Sequence, residues 1–67
     1  MLSKKELQEL TKGTQLIHKG GTRVKVVDIY KLNGIVEKVL VETYFTKKVK
    51  DLKASTIKSS YTLWDNL

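Results

Sequence analysis

The densest charge in this chain lies in the segment Lys47–Lys53, which holds four lysines and one aspartate in seven residues. Lysine ammonium groups are mobile point charges suited to phosphate, whereas arginine is the cation that recognises base edges in two-pronged contacts. Because twelve of the thirteen cationic residues are lysines, the composition favours contact with a nucleic-acid backbone over recognition of a base sequence. The alternative is that these lysines only protect an edge strand from unwanted pairing.

An aromatic residue is expected close to these charges. Tyr44 should pair with Arg23 across a hairpin, and Lys25 lies two residues further along the same strand. A ring that stacks on a base, among cations that follow the phosphates, is typical of proteins that bind single strands or RNA. The predicted nucleic-acid surface comprises Arg23, Lys25, Tyr44, Lys47, Lys48, Lys50 and Lys53.

The charge of the whole chain supports an acidic partner. Its 67 residues carry a net charge of +6, and the pI is about 9.7. Such values are typical of proteins that bind nucleic acid, although lysines that only keep a small protein soluble would give the same values.

A protein-binding surface is the second hypothesis. It would use the apolar and aromatic side chains of Ile29, Tyr30 and Trp64, of which Tyr30 is expected to be exposed beside a turn. Aromatic residues are common anchors in protein interfaces, but in so small a domain Trp64 could instead cover the core.

The sequence contains few residues that could carry out catalysis or bind a metal. His18 is the only histidine, there is no cysteine, and the spacing of the seven acidic residues does not require two of them to converge. The serines and threonines lack a recognisable nucleophile context. We therefore expect no enzyme activity, no cofactor, no metal and no small-molecule substrate.

The elements that position these residues begin with a hairpin. Asn33-Gly34 joins two runs rich in Val, Ile and Tyr, and this dipeptide is the strongest short-range signal for a two-residue type I′ turn. A straight ladder through the turn puts Asp28 on the same face as Val26 and Val41, where a carboxylate needs hydrogen-bond donors. The predicted pairs are Leu32–Ile35, Tyr30–Glu37, Asp28–Val39, Val26–Val41 and Val24–Thr43 on one face, with Ile29–Lys38, Val27–Leu40, Lys25–Glu42 and Arg23–Tyr44 on the other.

Both faces of this hairpin carry apolar residues. The strands should therefore bend and serve two packed layers, or the helix should cover the second face.

Shorter elements surround the hairpin. Ser3 and Glu6 form a capping-box pattern that predicts a helix over 3–12, with Leu2, Leu7 and Leu10 on its apolar side. Strands are predicted at 14–18, 49–54 and 61–64, and Val49 and Leu52 should both face the core or its rim. Residues 54–60 are short and rich in hydroxyls, which favours a single 3₁₀ turn.

The chain is expected to form one domain, with a helix in 1–13 and a small β-barrel in 14–64. The charged N-terminus differs from a signal peptide, and no apolar run approaches the roughly 20 residues that span a bilayer. A cytoplasmic protein without membrane contact is the expectation.

The order of these elements resembles the SH3-like small barrels, including KOW-type domains. The resemblance covers roughly residues 14–64 and is one of architecture, without a diagnostic motif. It implies a mainly β, five-stranded barrel, although the same pattern would fit an OB-like barrel. The acidic loop and aromatic groove with which signalling SH3 domains bind proline-rich peptides are missing, so that function is not implied. The segments that carry the resemblance are Gly13–His18, Val24–Asp28 and Leu52–Ile57.

A lone barrel with an added N-terminal helix is also similar to small accessory proteins of bacteriophages and mobile elements. This likeness implies a partner that is either nucleic acid or a host protein, which the chain would inhibit or modulate.

Overall fold

The computed structural model describes residues 2–64. Its elements are α1 (Lys4–Gln8), β1 (Gln15–His18), β2 (Arg23–Leu32), β3 (Ile35–Thr43), β4 (Val49–Lys53), α2 (Ala54–Ser60) and β5 (Tyr61–Leu63). The strands form one antiparallel sheet in the order β4-β3-β2-β1-β5. The predicted mainly β fold with five strands and a short N-terminal helix is confirmed. The sheet is not closed, so the predicted barrel is not confirmed.

The first helix begins as predicted and ends earlier. The Ser3 Oγ accepts a hydrogen bond from the Glu6 N–H at 3.1 Å, and the Glu6 carboxylate accepts one from the Ser3 N–H at 2.9 Å. The helix ends at Gln8 instead of residue 12, because Thr11 and Thr14 form a turn in which the Thr14 hydroxyl accepts from the Thr11 N–H. Leu2, Leu7 and Leu10 are all buried, so the predicted apolar side is confirmed.

The segment before the last strand is an α-helix, and the predicted 3₁₀ turn is wrong. Ile57 in the middle of α2 is completely buried, and packing of this kind stabilises a short helix of poor intrinsic propensity. The Lys58 carbonyl near its end accepts a hydrogen bond from the Leu2 N–H at 3.0 Å. This bond satisfies a carbonyl that lacks a partner within the helix and joins the N-terminal segment to α2.

Two β-bulges shape the hairpin of β2 and β3. The predicted pairs are found at both ends, where Leu32 faces Ile35 across the turn and Val26 faces Val41. Between these pairs the register is shifted by one residue, because Val27 in β2 has no partner, and neither has Glu37 in β3. The straight ladder predicted for this middle part is therefore wrong. The observed pairs there are Asp28–Leu40, Ile29–Val39 and Tyr30–Lys38.

The bulges decide which side chains face the core. In a straight ladder Asp28 and Glu37 would both lie on the face of Val26, and burying ionised carboxylates costs several kcal/mol each. With the bulges, Ile29 packs against the core and Val36 is buried in it. The hairpin thus turns its two acids outward by adding one residue to each strand.

The carboxylate of Asp28 has a local structural role. It lies on the outer face, so its predicted position beside Val26 and Val41 is wrong. Its Oδ1 accepts a hydrogen bond from the Ile29 N–H at 2.8 Å, and the Lys12 Nζ lies 4.0 Å away. Asp28 therefore supports the backbone directly after the bulge.

The faces of β4 also differ from the prediction in one residue. Leu52 pairs with Val39 and packs against the core as expected, whereas Val49 pairs with Glu42 and is exposed. Side chains alternate along a strand, so positions three residues apart cannot share a face without a bulge.

The core lies between one face of the sheet and the two helices. Leu16, Val24, Val26, Val39 and Val41 from the strands are buried against Leu2, Leu7, Leu10 and Ile57. Among residues 2–64, no helix is long and apolar enough to cross a membrane.

Tyr61 makes stability sensitive to alkaline pH. Its side chain is 3% exposed, and burial raises the pKa of its hydroxyl above the ordinary 10.0 because the phenolate would lose its hydration. Above about pH 10 the unfolded chain releases this proton while the folded protein keeps it, so the free energy of unfolding should fall as pH rises. Urea unfolding at about pH 8 and about pH 11 should show a larger loss for the natural protein than for Tyr61→Phe. Equal losses would show that Tyr61 does not contribute.

Candidate functional site

The strongest grouping of aromatic and charged side chains lies where β3 ends, on the face of the sheet away from the core. We call it the aromatic–basic cluster. Arg23 is the first residue of β2, Gln15 is the first residue of β1, and Trp64 directly follows β5. Its members are Gln15, Arg23, Tyr44, Phe45, Lys47 and Trp64.

The guanidinium of Arg23 is the centre of this cluster. Its Cζ lies 4.3 Å from the centre of the Tyr44 ring and 4.0 Å from the centre of the Trp64 ring. One of its terminal nitrogens donates a hydrogen bond to the Gln15 Oε1 at 2.6 Å, and its buried Nε has no partner among the described residues. The cation is thus held against two rings by cation–π contact, and it joins β2 to the chain segments that follow β3 and β5.

Two neighbouring aromatic rings extend the cluster towards solvent. Tyr44 is partly exposed, and Phe45 is 80% exposed, more than any other large apolar side chain in residues 2–64. The two rings meet edge to face, with 5.7 Å between their centres. The Lys47 Nζ lies 5.2 Å from the centre of the Tyr44 ring, so a second cation is close to the same ring.

The loop that carries these residues has a fixed backbone. The Thr43 N–H donates to the Lys48 carbonyl at 2.8 Å, and the Lys47 N–H donates to the Thr43 carbonyl at 2.9 Å. Lys47 adopts a φ of 62°, the left-handed conformation that closes a tight turn. Phe45 and Lys47 are therefore presented from a closed turn between β3 and β4.

The structure separates the predicted nucleic-acid residues into groups. Arg23, Lys25, Tyr44, Lys47 and Lys48 lie together at this end of the sheet. Lys25 also forms the predicted pair with Glu42, with 3.9 Å between Nζ and Oε1. Lys50 faces the other way, beside Val41, and Lys53 pairs with Lys38 about 10 Å further along β4.

Several of these lysines carry uncompensated charge. Within residues 2–64, no carboxylate lies within 4.0 Å of the ammonium groups of Lys47, Lys48, Lys50 or Lys53. By contrast, the Lys38 Nζ lies 3.5 Å from Asp51 Oδ2. The loop between β3 and β4 is therefore a basic surface, whereas the middle of β3 is partly neutralised.

The residues predicted for protein binding do not form one surface. Ile29 packs against the core, and Tyr30 is exposed on the opposite face beside Lys38. Trp64 is half-buried over Arg23, at the far end of β2. Trp64 thus covers a guanidinium and is not among the side chains of residues 2–64 that pack in or against the core.

Sequence reasoning did not include Phe45 in either surface. Its position directly before the polar turn Thr46-Lys47-Lys48, where a strand was expected to end, is the one feature of the sequence that could have indicated an exposed ring. A large apolar side chain at the last position of a run is usually assigned to the core. Only the end of β3 at Thr43 shows that Phe45 stands in the loop.

Catalytic groups are sparse in the described chain. No group of three or more histidine, cysteine or acidic side chains in residues 2–64 could hold a metal ion. The His18 Nδ1 accepts a hydrogen bond from the Gly20 N–H at 2.9 Å, and its ring meets the edge of Tyr61, so its contacts are structural.

No protein-family model matches this chain, and no curated protein or solved structure matches it either. Its function must therefore be inferred from the aromatic–basic cluster itself.

Proposed function

We propose that this protein is a non-enzymatic module that binds nucleic acid through the loop between β3 and β4. The observation that carries the proposal is the pair of exposed rings, Tyr44 and Phe45, beside a turn with fixed backbone bonds. The same turn carries Lys47 and Lys48, whose ammonium groups have no carboxylate within 4.0 Å in residues 2–64. Phosphates would lie near the ammonium groups, which have no competing carboxylate in the described residues. Such contacts give affinity that depends strongly on salt and weakly on sequence.

The distribution of charge along the sheet supports this choice of site. At the opposite end, around the Asn33-Gly34 turn, the cation Lys31 is accompanied by the anion Glu37. The formal charges of these two residues sum to zero. The loop between β3 and β4 places Lys47 and Lys48 side by side without an acid between them, so electrostatic attraction would orient a nucleic acid towards this end.

The proposal includes an SH3-like arrangement of the five strands. It is supported by the order of the sheet, in which β1 lies between β2 and β5, and by the bulges in the long hairpin, which bend and twist a sheet. Such a scaffold would hold the β3–β4 loop and the end of β5 next to one another, as the contacts of Arg23 require.

Charge reversal in the loop tests the proposal. Lys47→Glu with Lys48→Glu should weaken binding of a fluorescent single-stranded DNA by about 10-fold or more at about 50 mM salt. The slope of log affinity against log salt should become shallower by roughly 0.7 for each phosphate that the variant no longer neutralises. Fluorescence anisotropy over a salt series measures both quantities.

The matched control is Lys4→Glu with Lys31→Glu, which changes the net charge equally. Both lysines are exposed, and they lie on α1 and beside the Asn33-Gly34 turn. Binding by this variant should stay within about 3-fold of the natural protein. Equal weakening by both pairs would mean that only total charge matters, and the loop would not be the site.

A second candidate function is supported by the tip of the hairpin. Leu32 and Ile35 are both more than half exposed and flank a surface concavity of about 340 Å³, on an end without net positive charge. Two apolar side chains there would suit a protein partner, such as a host protein that the chain inhibits or modulates. An absence of DNA binding by the natural protein at low salt would favour this candidate.

A further inference from the structure

Phe45 has features that go beyond attraction of phosphates. Its ring is 80% exposed, although an aromatic side chain of this size gains stability when it is covered. Within residues 2–64, the only ring contact of Phe45 is the edge contact with Tyr44, and no cation lies over its ring. It is therefore the ring that a ligand could reach.

A series of contacts links the Phe45 ring to the rest of the aromatic–basic cluster. Phe45 meets Tyr44 edge to face, Tyr44 lies over the Arg23 guanidinium, and Arg23 lies over Trp64. Backbone bonds between Thr43 and Lys48 close the turn that contains Phe45. The backbone that carries the ring is therefore fixed, so binding of a flat ligand has to order only the Phe45 side chain, which favours binding.

Tyr44 is less suited to this role than the sequence indicates. Its ring already contacts the Arg23 guanidinium at 4.3 Å and lies 5.2 Å from the Lys47 ammonium. A base stacked on Tyr44 would have to share or replace these contacts. Phe45 has no cation over its ring in residues 2–64, so stacking there displaces only water.

We propose that Phe45 stacks on an unpaired base, and that the ligand of this site is a single-stranded nucleic acid. The inference rests on the proposed function and makes it more specific. A duplex keeps its base faces inside the stack, where an exposed ring cannot reach them, whereas every base of a single strand offers a flat face. Lys47 and Lys48, two and three residues further along the turn, would contact the phosphates beside that base.

An abasic strand separates stacking from charge. We would measure the affinity of the natural protein and of Phe45→Ala for a short fluorescent oligothymidine and for an abasic strand of the same length. The natural protein should bind the oligothymidine about 10-fold more tightly than the abasic strand, because stacking of one base contributes about 1.4 kcal/mol, the energy equivalent of that ratio. Phe45→Ala should bind both strands equally, at the lower affinity, and Phe45→Trp should keep the preference.

The control variant is Ile35→Ala, which removes another exposed apolar side chain at the far end of the hairpin. It should keep the preference for bases. If the natural protein binds the oligothymidine, its abasic form and a duplex equally, the stacking role of Phe45 is wrong while backbone binding by the loop stands. If Lys47→Glu with Lys48→Glu leaves every affinity unchanged, the proposed function itself fails.

Discussion

Replacing Leu16 by alanine is expected to lower the free energy of unfolding by about 3 kcal/mol. Leu16 is 0% exposed and lies in β1, where it pairs with Val24 on one side and with Leu63 on the other. The truncated side chain would leave a cavity in the core, on the face of β1 that packs towards the helices. A domain of this size is stabilised by only about 3–10 kcal/mol in total, so the variant should be partly unfolded near 37 °C. Urea unfolding followed by far-UV circular dichroism measures the loss.

The control for Leu16 is the same change at an exposed position. Leu32 is 61% exposed at the tip of the hairpin, so Leu32→Ala should alter stability by less than about 0.5 kcal/mol. A similar loss in the free energy of unfolding of both variants would mean that the hairpin tip is covered in solution. Leu32 would then have to be counted among the core residues.

Replacing Arg23 by lysine should cost about 2 kcal/mol and change the fluorescence of Trp64. Lysine keeps the positive charge, but its ammonium cannot lie flat over two rings while also donating to Gln15, as the guanidinium does. Trp64 is the only tryptophan in the chain, so its emission reports this contact directly. We expect a shift of the emission to longer wavelength and a lower urea midpoint.

Lys25→Ala provides the comparison for Arg23. It removes a cation two residues away whose contact with Glu42 is solvent-exposed and contributes about 0–1 kcal/mol. Its Trp64 emission should match that of the natural protein. An unchanged spectrum in Arg23→Lys would show that the guanidinium does not order the ring in solution.

Much of the fold could be predicted from local sequence. The capping box of Ser3 and Glu6 is present, and so is the Asn33-Gly34 turn, in which both residues have positive φ. Each signal depends on residues close together in the chain, and local hydrogen bonds decide its outcome. The ion pair of Lys25 with Glu42 followed from the turn, because the register near the start of β2 agrees with a straight ladder.

The features that could not be predicted depend on the core as a whole. The bulges at Val27 and Glu37 arise because Ile29 and Val36 need to face the core. Neither bulge contains a glycine, the residue that would have indicated a bulge in the sequence. The α-helical form of α2 depends on the burial of Ile57 by other elements. In both the bulges and α2, tertiary packing therefore outweighs the preference of the local sequence.

The candidate site was predicted in its chemistry more than in its arrangement. Arg23, Tyr44 and Lys47 do lie together, as the pairing of Arg23 with Tyr44 suggested. The contact of Arg23 with Trp64 joins residues from the beginning of β2 and the end of the described chain. Nothing in the local sequence indicates such a contact, because it depends on β5 lying beside β1.

Each strand of the central hairpin contains one residue without a cross-strand partner. This limits the positions at which a residue can be deleted. Deleting Val27 or Glu37 would remove a bulge and leave every observed pair in place. If Ile29 were deleted, Val27 would instead pair with Leu40 and Asp28 with Val39, so that the bulge disappears. Asp28 would then face the core. Deletions that arise during the evolution of this hairpin should therefore be tolerated at Val27 and Glu37, and removed by selection at Ile29.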